Sequence, residues 1–455
     1  MSAAPRDGKP AAKRTGARAR PSSAGPTASA AEATAKITPA RRAAFEILTL
    51  VGEGKGHSDE LLHSPRTEEL SAEDRNLATA LVMGVLRWQI ALDARLAKLL
   101  TRPDQRLAEP VALALRMGAF QLLHMDRIPA HAVLNESVEM CRAAGEPHAA
   151  GMVNAVLRKL AAAQKPGERI FESPAAFAER LGHPRWMVER WVATYGREAA
   201  LAICEYDQRE PSHRAIFPEA ENDLPQMDDG SRLIAEIAAA SLPTMGDRTA
   251  RVWDCCAAPG GKTLMLARRL AGAEILASDV SGKRLAQMQA RLRRYPYAAT
   301  VRCEVADAAT AEGEEQFDLI LCDVPCSGTG TLARNPEIRH RLRVEELARQ
   351  AMRQHAILGG ALRRLAPGGR LLYSTCSLEP EENEHVVEAV LAETGLRRIS
   401  IAPLIAVLAD TEVLPQETSV LLGSAVTNDT LRTLPEVHGC DGFFAALFER
   451  EGRRN

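Results

Sequence analysis

Two cysteines carry the chemistry that this sequence offers. Cys326 stands in Asp323-Val-Pro-Cys-Ser-Gly-Thr-Gly330, after an apolar run that reads as a strand, and Cys376 closes the run Gly368-Gly-Arg-Leu-Leu-Tyr-Ser-Thr-Cys376. Open α/β sheets hold their ligands in loops at the carboxyl ends of their strands, so both thiols are expected at one binding edge. A thiolate in a partly exposed, electropositive loop is a strong nucleophile that can also depart again. Those properties suit addition to C6 of a cytosine, which turns the unreactive C5 into an enamine carbon able to attack a methyl sulfonium. One thiol suffices for attack, and a second can assist release. The carboxylate of Asp323 could meet N3 or the exocyclic amine of the ring and stabilise the charge that develops there. Such a base must first leave its stack, which favours single-stranded loops or distorted helices as substrates.

Other readings compete for these thiols. Most free cysteines are small buried hydrophobes, and that reading is preferred for Cys141, Cys204, Cys255, Cys303 and Cys440. A metal site at Cys322, Cys326 and Cys376 is not expected, because there is no Cys-x-x-Cys pair and no neighbouring histidine. Arg334, Arg339, Arg341 and Arg343 follow the Cys326 loop, where they could hold phosphates or form a solvated face.

A second loop reads as a cofactor cradle. The apolar run Arg251 to Cys256 enters Ala257-Ala-Pro-Gly-Gly-Lys-Thr263 and then a helical run from Leu264 to Leu270. Strand, small-residue turn and helix suit a nucleotide-like ligand: Gly260 and Gly261 let the backbone approach it, and the helix N-terminus offers free N–H groups. Asp279 closes the next strand about 20 residues further on, where a carboxylate can accept ribose hydroxyls. Gly261-Lys-Thr263 also looks like the end of an ATP-binding P-loop. That motif needs a glycine where Cys256 stands, and a side chain there would crowd the phosphates.

The elements that must position these loops follow from composition and periodicity. The chain has 455 residues, 46% hydrophobic and 25% charged, which suits two or three ordinary soluble domains. Aromatic residues make up 4% and the net charge is -2, so neither stacking platforms nor a uniform basic coat is expected, and any RNA contact must come from local arginine clusters. No run approaches the roughly 18 uninterrupted apolar residues of a membrane span, and no apolar signal segment opens the chain; a cytoplasmic protein with nine free cysteines is expected. Residues 1–36 read as a disordered basic tail: a phosphate-following arm, a solubilising segment or, third, an organellar transit peptide. Residues 37–163 read as a domain of five or more helices, with a start at Ser71-Ala-Glu-Asp74 and Leu77, Leu81, Val85 and Trp88 on one face. Residues 164–230 read as a helical connector. Residues 231–455 alternate strands (Arg251 to Cys256, Glu274 to Val280, Thr300 to Val305, Asp318 to Asp323) with helices, as in a mostly parallel Rossmann-like sheet.

Taken together, Asp254-Cys-Cys-Ala-Ala-Pro-Gly-Gly-Lys-Thr263, Asp323-Val-Pro-Cys-Ser-Gly-Thr-Gly330, Arg334-Asn-Pro-Glu337 and Tyr373-Ser-Thr-Cys-Ser-Leu-Glu-Pro-Glu-Glu-Asn383 resemble the NOL1/NOP2/Sun RNA cytosine-C5 methyltransferases. The resemblance runs from about residue 38 to the end and includes Asp441-Gly-Phe-Phe444, which looks like the closing strand. It implies that Cys376 is the nucleophile and Cys326 helps release the product. It implies a pocket for S-adenosyl-L-methionine lined by Cys256, Ala257, Ala258, Pro259, Gly260, Gly261, Lys262, Asp279, Arg284, Asp307 and Asp323, with Asp279 on the ribose, Asp307 near the adenine, and no metal. Ile128-Pro-Ala-His-Ala-Val-Leu-Asn-Glu-Ser-Val138 and Met152-Val-Asn-Ala-Val-Leu-Arg158 look like the all-α NusB-type RNA-binding domain of bacterial members. That implies ribosomal RNA, 16S rRNA in particular, as the partner of a monomeric enzyme. The alternatives are the same chemistry on tRNA or another rRNA site, or a non-catalytic RNA-binding factor. The chain departs from the family at Ser212 to Met227, a short connector where the family carries a small RNA-contacting subdomain after Arg209-Glu-Pro211.

Overall fold

The computed structural model describes residues 32–34, 36–103, 106–163, 173–211, 216–217, 224–310 and 313–452. The reading of 1–36 as a basic tail falls almost wholly outside these residues, as does most of the short connector. The helical part contains α1 (Pro39–Gly52), α2 (Ala72–Ala97), α3 (Glu109–His124), α4 (Ala130–Ala143) and α5 (Ala150–Ala162), with two short helical turns between α1 and α2. Ser71 caps α2 by accepting a hydrogen bond from the Asp74 N–H at 3.1 Å, as its spacing predicts. Leu81 and Val85 lie in the common core with Ile47, Leu115, Met117 and Leu157. α2 is also long and apolar enough, by length and composition alone, to cross a membrane, with a mean hydropathy of 1.3. Its packing between α1 and α3 accounts for that composition, since both of its sides meet the core.

Three connector helices follow: α6 (Pro174–Arg180), α7 (Arg185–Tyr195) and α8 (Arg197–Asp207). They form a small core around Phe177, Trp191 and Ile203 that also takes in Leu332 and Leu378 of the sheet domain. Ile216 and Phe217, the two described residues of the short connector's middle, are buried against that domain, and the Ile216 N–H donates to Asp229 at 2.8 Å.

The sheet domain opens with α9 (Asp229–Ala240) and then alternates β1 (Arg251–Asp254), α10 (Gly261–Arg269), β2 (Glu274–Asp279), α11 (Gly282–Leu292), β3 (Arg302–Val305), β4 (Phe317–Asp323), α12 (Val344–Arg363), β5 (Leu365–Thr375) and α13 (Glu384–Thr394). Strands β6 (Arg397–Ile399), β7 (Val426–Thr427), β8 (Thr430–Arg432) and β9 (Phe444–Glu449) complete it. The strand order is β3-β2-β1-β4-β5-β9-β8-β7, with β6 also paired to β9. β1 to β5 are parallel and β9 runs antiparallel to β5. The closing strand begins only at Phe444, so Asp441 to Phe443 form the loop before it. Parallel strands must be covered on both faces, and the apolar runs Val252-Trp253 and Leu319 to Cys322 are buried throughout. Because β1, β2, β4 and β5 point the same way, Asp254, Asp279, Asp323 and Thr375 all end at one edge.

The segment after the Cys326 loop docks the helices on the sheet. Arg339 is 2% exposed and donates to the carbonyls of Arg87 (3.0 Å) and Gly182 (3.1 Å). Arg341 donates to the carbonyls of Val51 (2.9 Å) and Gly56 (2.7 Å), and Glu337 accepts from the Ser58 N–H and hydroxyl at 3.1 and 2.9 Å. Arg334 pairs with Asp441 at 2.8 Å, and the backbone N–H of Arg343 is taken by Glu346 at the start of α12. The reading of these arginines as phosphate holders is therefore corrected for Arg334, Arg339 and Arg341. Their guanidiniums are taken up within the fold by backbone carbonyls and by the Asp441 carboxylate.

Candidate active site

The cofactor-loop residues sit between β1 and α10. Gly260 has φ of 95°, a left-handed conformation that an L side chain adopts only under strain, and a Cβ there would come within 2.7 Å of Met288. Asp279, at the end of β2, is 4% exposed and accepts from the N–H groups of Ala258 (3.2 Å) and Ser281 (2.9 Å). Arg284 reaches back to the Ala258 carbonyl at 2.5 Å and lies 3.4 Å from Asp279. Asp307, beyond β3, is exposed and accepts from the Ala309 N–H at 3.0 Å. Val280 and Val305, at the ends of β2 and β3, are 55% and 58% exposed. Two bare aliphatic residues flanked by carboxylates at the sheet edge fit a ligand with a flat apolar ring and a hydroxylated sugar.

The two sulfurs meet at the neighbouring strand ends. β4 and β5 pair Asp323 with Ser374, and the loops beyond them bring Cys326 Sγ to 3.3 Å from Cys376 Sγ. Both cysteines are partly exposed and free. The hydrogen bond to Cys376 and burial push the Cys326 thiol well above its ordinary range, with Glu382 adding to the effect. Cys326 is thus held as a neutral S–H at physiological pH. Asp323 accepts from the Ser374 hydroxyl at 2.7 Å and pairs with Lys262 at 2.8 Å. Burial works against the Lys262 charge, yet Asp323, followed by Asp228 and Cys376, raises its ammonium above the ordinary range. The turn, Asp279, Arg284, Asp323 and both cysteines thus gather at one edge, with Asp307 at its margin.

Cys255 and Cys322 are buried side by side with Cys256, and no group of three His, Cys, Asp or Glu suited to a metal occurs among the described residues. Asp254, below the turn, accepts from the Thr263 hydroxyl at 2.6 Å, and burial pushes its carboxyl up to about 7. A folded-state value above the unfolded one means that its stabilisation is complete below about pH 4 and is lost as pH rises through about 7. Asp254→Asn should therefore unfold much like the wild type near pH 4 and gain stability on the order of 2 kcal/mol relative to it at pH 8. Thermal melts at both values check this; an equal difference at both would sink the assignment.

Residues from other elements also hold the Cys376 loop. Trp191 Nε1 donates to Glu379 at 3.1 Å, Arg190 bridges Glu379 (2.8 Å) and Glu381 (2.6 Å), and the Tyr195 hydroxyl donates to the Leu378 carbonyl. The connector helix α7 is thus a wall of the site, a role that sequence reasoning missed. Its apolar periodicity signals only that it packs, and the one available cue was the acidic run Glu379 to Glu382 facing an unassigned arginine.

A parallel sheet with covered faces, a glycine turn after its first strand and carboxylates closing the next strands define the Rossmann-like methyltransferase class. The family model for 16S rRNA methyltransferase RsmB/F matches residues 243–449, and that for the NusB family matches 38–162. Ribosomal RNA small subunit methyltransferase B of Xanthomonas campestris is 33% identical, across 92% of this chain and 98% of that protein. The probable ribosomal RNA small subunit methyltransferase B of Bacillus subtilis is 29% identical, across 92% of this chain and 100% of that protein. The chain belongs to the ribosomal RNA small subunit methyltransferase B family. Among solved structures, that of PH0851 shares the fold, with a TM-score of 0.64 and 22% identity over 91% of this chain and 99% of that one.

Proposed function

We propose that this enzyme methylates C5 of a cytosine in ribosomal RNA, 16S rRNA in particular, using S-adenosyl-L-methionine and a transient bond between Cys376 and C6. The observation that carries the reading is the 3.3 Å pairing of Cys326 and Cys376 beside the Lys262–Asp323 ion pair. The names of the relatives support ribosomal RNA as substrate.

Cys256 to Lys262, Asp279, Arg284, Asp307 and Asp323 would hold the cofactor, whose sulfonium supplies an electrophilic methyl group. Asp279 takes the ribose hydroxyls, and Val280 and Val305 give the adenine an apolar flank. The Cys376 thiolate adds to C6, forming the S–C6 bond while the ring's π electrons move toward C5 and the carbonyl. Cys326 Sγ lies 3.3 Å from that sulfur, and the Lys262 ammonium, paired with Asp323, stands near it. Asp323 meets N3 or the exocyclic amine as charge develops on the ring. Once C5 has gained its methyl, a solvent water takes the C5 proton, the C5–H electron pair forms the C5=C6 bond, and the S–C6 pair departs with sulfur as its anion. Cys326, beside that sulfur, assists departure. The work is done in the cytoplasm by a monomer, without a metal.

Incubating the protein with labelled methyl donor and naked 16S rRNA, 23S rRNA or tRNA, then mapping the modified base, tests the substrate. Label confined to one cytosine of 16S rRNA is expected. Label only in tRNA or 23S rRNA would show that the short connector has re-aimed the site.

A further inference from the structure

Two loops from different strands must hold two sulfurs at a fixed separation, and one buried side chain joins them. Glu382 lies in the tight turn Pro380–Glu382 between β5 and α13 and is fully buried. Its Oε1 accepts from the Ser327 N–H at 2.8 Å and from Gln354 Nε2 at 2.8 Å. Its Oε2 accepts from the Ser377 hydroxyl at 2.5 Å and also from the Ser327 hydroxyl. Ser327 and Ser377 are the residues that directly follow Cys326 and Cys376. Gln354, on α12, also donates to the Pro325 carbonyl at 3.0 Å, which pins the residue before Cys326. The turn itself is anchored by the Tyr373 hydroxyl on the Glu382 carbonyl at 2.6 Å.

We infer that Glu382 is a positioning residue for the transfer and release steps: its carboxylate ties the Cys326 and Cys376 loops together and so sets the distance between their sulfurs. This rests on the functional reading above. A buried carboxylate is tolerated only when its lone pairs are answered, and here both oxygens are each met by two donors. The Ser327 N–H and the Gln354 amide meet one carboxylate oxygen, and the two serine hydroxyls meet the other. A methionine at 382 fills a similar volume yet offers no acceptor oxygen, so all four donors lose their partner there. The loops then relax apart, and a shift of about 1 Å at reacting atoms costs on the order of 100-fold in rate.

The test compares Glu382→Met with the wild type at a temperature where circular dichroism shows both folded, beside Glu382→Gln, which can keep the same hydrogen bonds and should stay close to the wild type. Three quantities are measured: methyl transfer to 16S rRNA, S-adenosyl-L-methionine binding by calorimetry, and the rate at which diamide oxidises the two thiols to a disulfide, followed by peptide mass. The disulfide rate reads the sulfur separation directly and needs neither RNA nor methyl donor. In Glu382→Met, transfer and disulfide formation should both slow about tenfold or more, while donor binding stays within about twofold, since the carboxylate faces the cysteine loops and not the cofactor turn. Gln354→Met, which removes one donor from outside the loops, should shift both rates the same way by less. Wild-type rates in a folded Glu382→Met protein would overturn the inference, and so would slowed disulfide formation with unchanged transfer. If the wild type transfers no methyl group, the functional reading fails, and the disulfide arm still decides whether Glu382 sets the separation.

Discussion

Cys376→Ala should lose methyl transfer by about 10⁴-fold or more, with the fold and donor binding retained. The expectation follows from the chemistry of the target atom. C5 of cytosine does not attack a sulfonium unaided, and only addition at C6 makes it nucleophilic, so removing the nucleophile removes the route and not merely a contact. The substitution deletes a single sulfur from a partly exposed position, so little packing is lost. Transfer by labelled donor, read beside the unfolding midpoint, separates the two effects. Transfer within about tenfold of wild type would assign the nucleophile elsewhere.

Cys326→Ala should behave oppositely: attack proceeds, release fails, and protein joined to RNA accumulates while turnover falls to about one methyl group per enzyme. The asymmetry follows from the two proposed roles. Burial and the hydrogen bond to Cys376 push the Cys326 thiol up, which disfavours it as the attacking thiolate. It lies 3.3 Å from the Cys376 sulfur, which on the proposed route departs from C6. A denaturing gel shows the joined species as a slower band sensitive to nuclease. An unshifted band beside lost activity would mean that Cys326 acts before attack and not after it.

Much of this site is legible in the sequence because it is built from strand ends. Glycines, an aspartate or a cysteine closing an apolar run declare both an element and its terminus, and parallel pairing then brings the termini to one edge without further information. Asp279, Asp323, Cys326 and Cys376 are all of this kind. What pairs across long separations is not legible in that way. Arg339 and Arg341 look in sequence like any surface arginines, yet they answer carbonyls of the helical domain, because a guanidinium suits a phosphate and a buried carbonyl equally well. Arg190 and Trp191 belong to a helix whose pattern shows burial but not what it is buried against. Glu382 stands in an acidic run whose spacing declares no partner; only the folded loops show it fully enclosed by four donors. The start of α2 is legible from its cap, whereas its apolar composition becomes intelligible only once α1 and α3 are seen on either side.

The covalent step is the centre of the account, and peptide mass after trapping reaches it most directly. Cys326→Ala protein is incubated with 16S rRNA and S-adenosyl-L-methionine, the RNA is digested to nucleotides, and the protein is cleaved and weighed. One methylated cytidine nucleotide is expected on the peptide that contains Cys376. No added mass on any peptide, or a nucleotide attached elsewhere than Cys376, would contradict it.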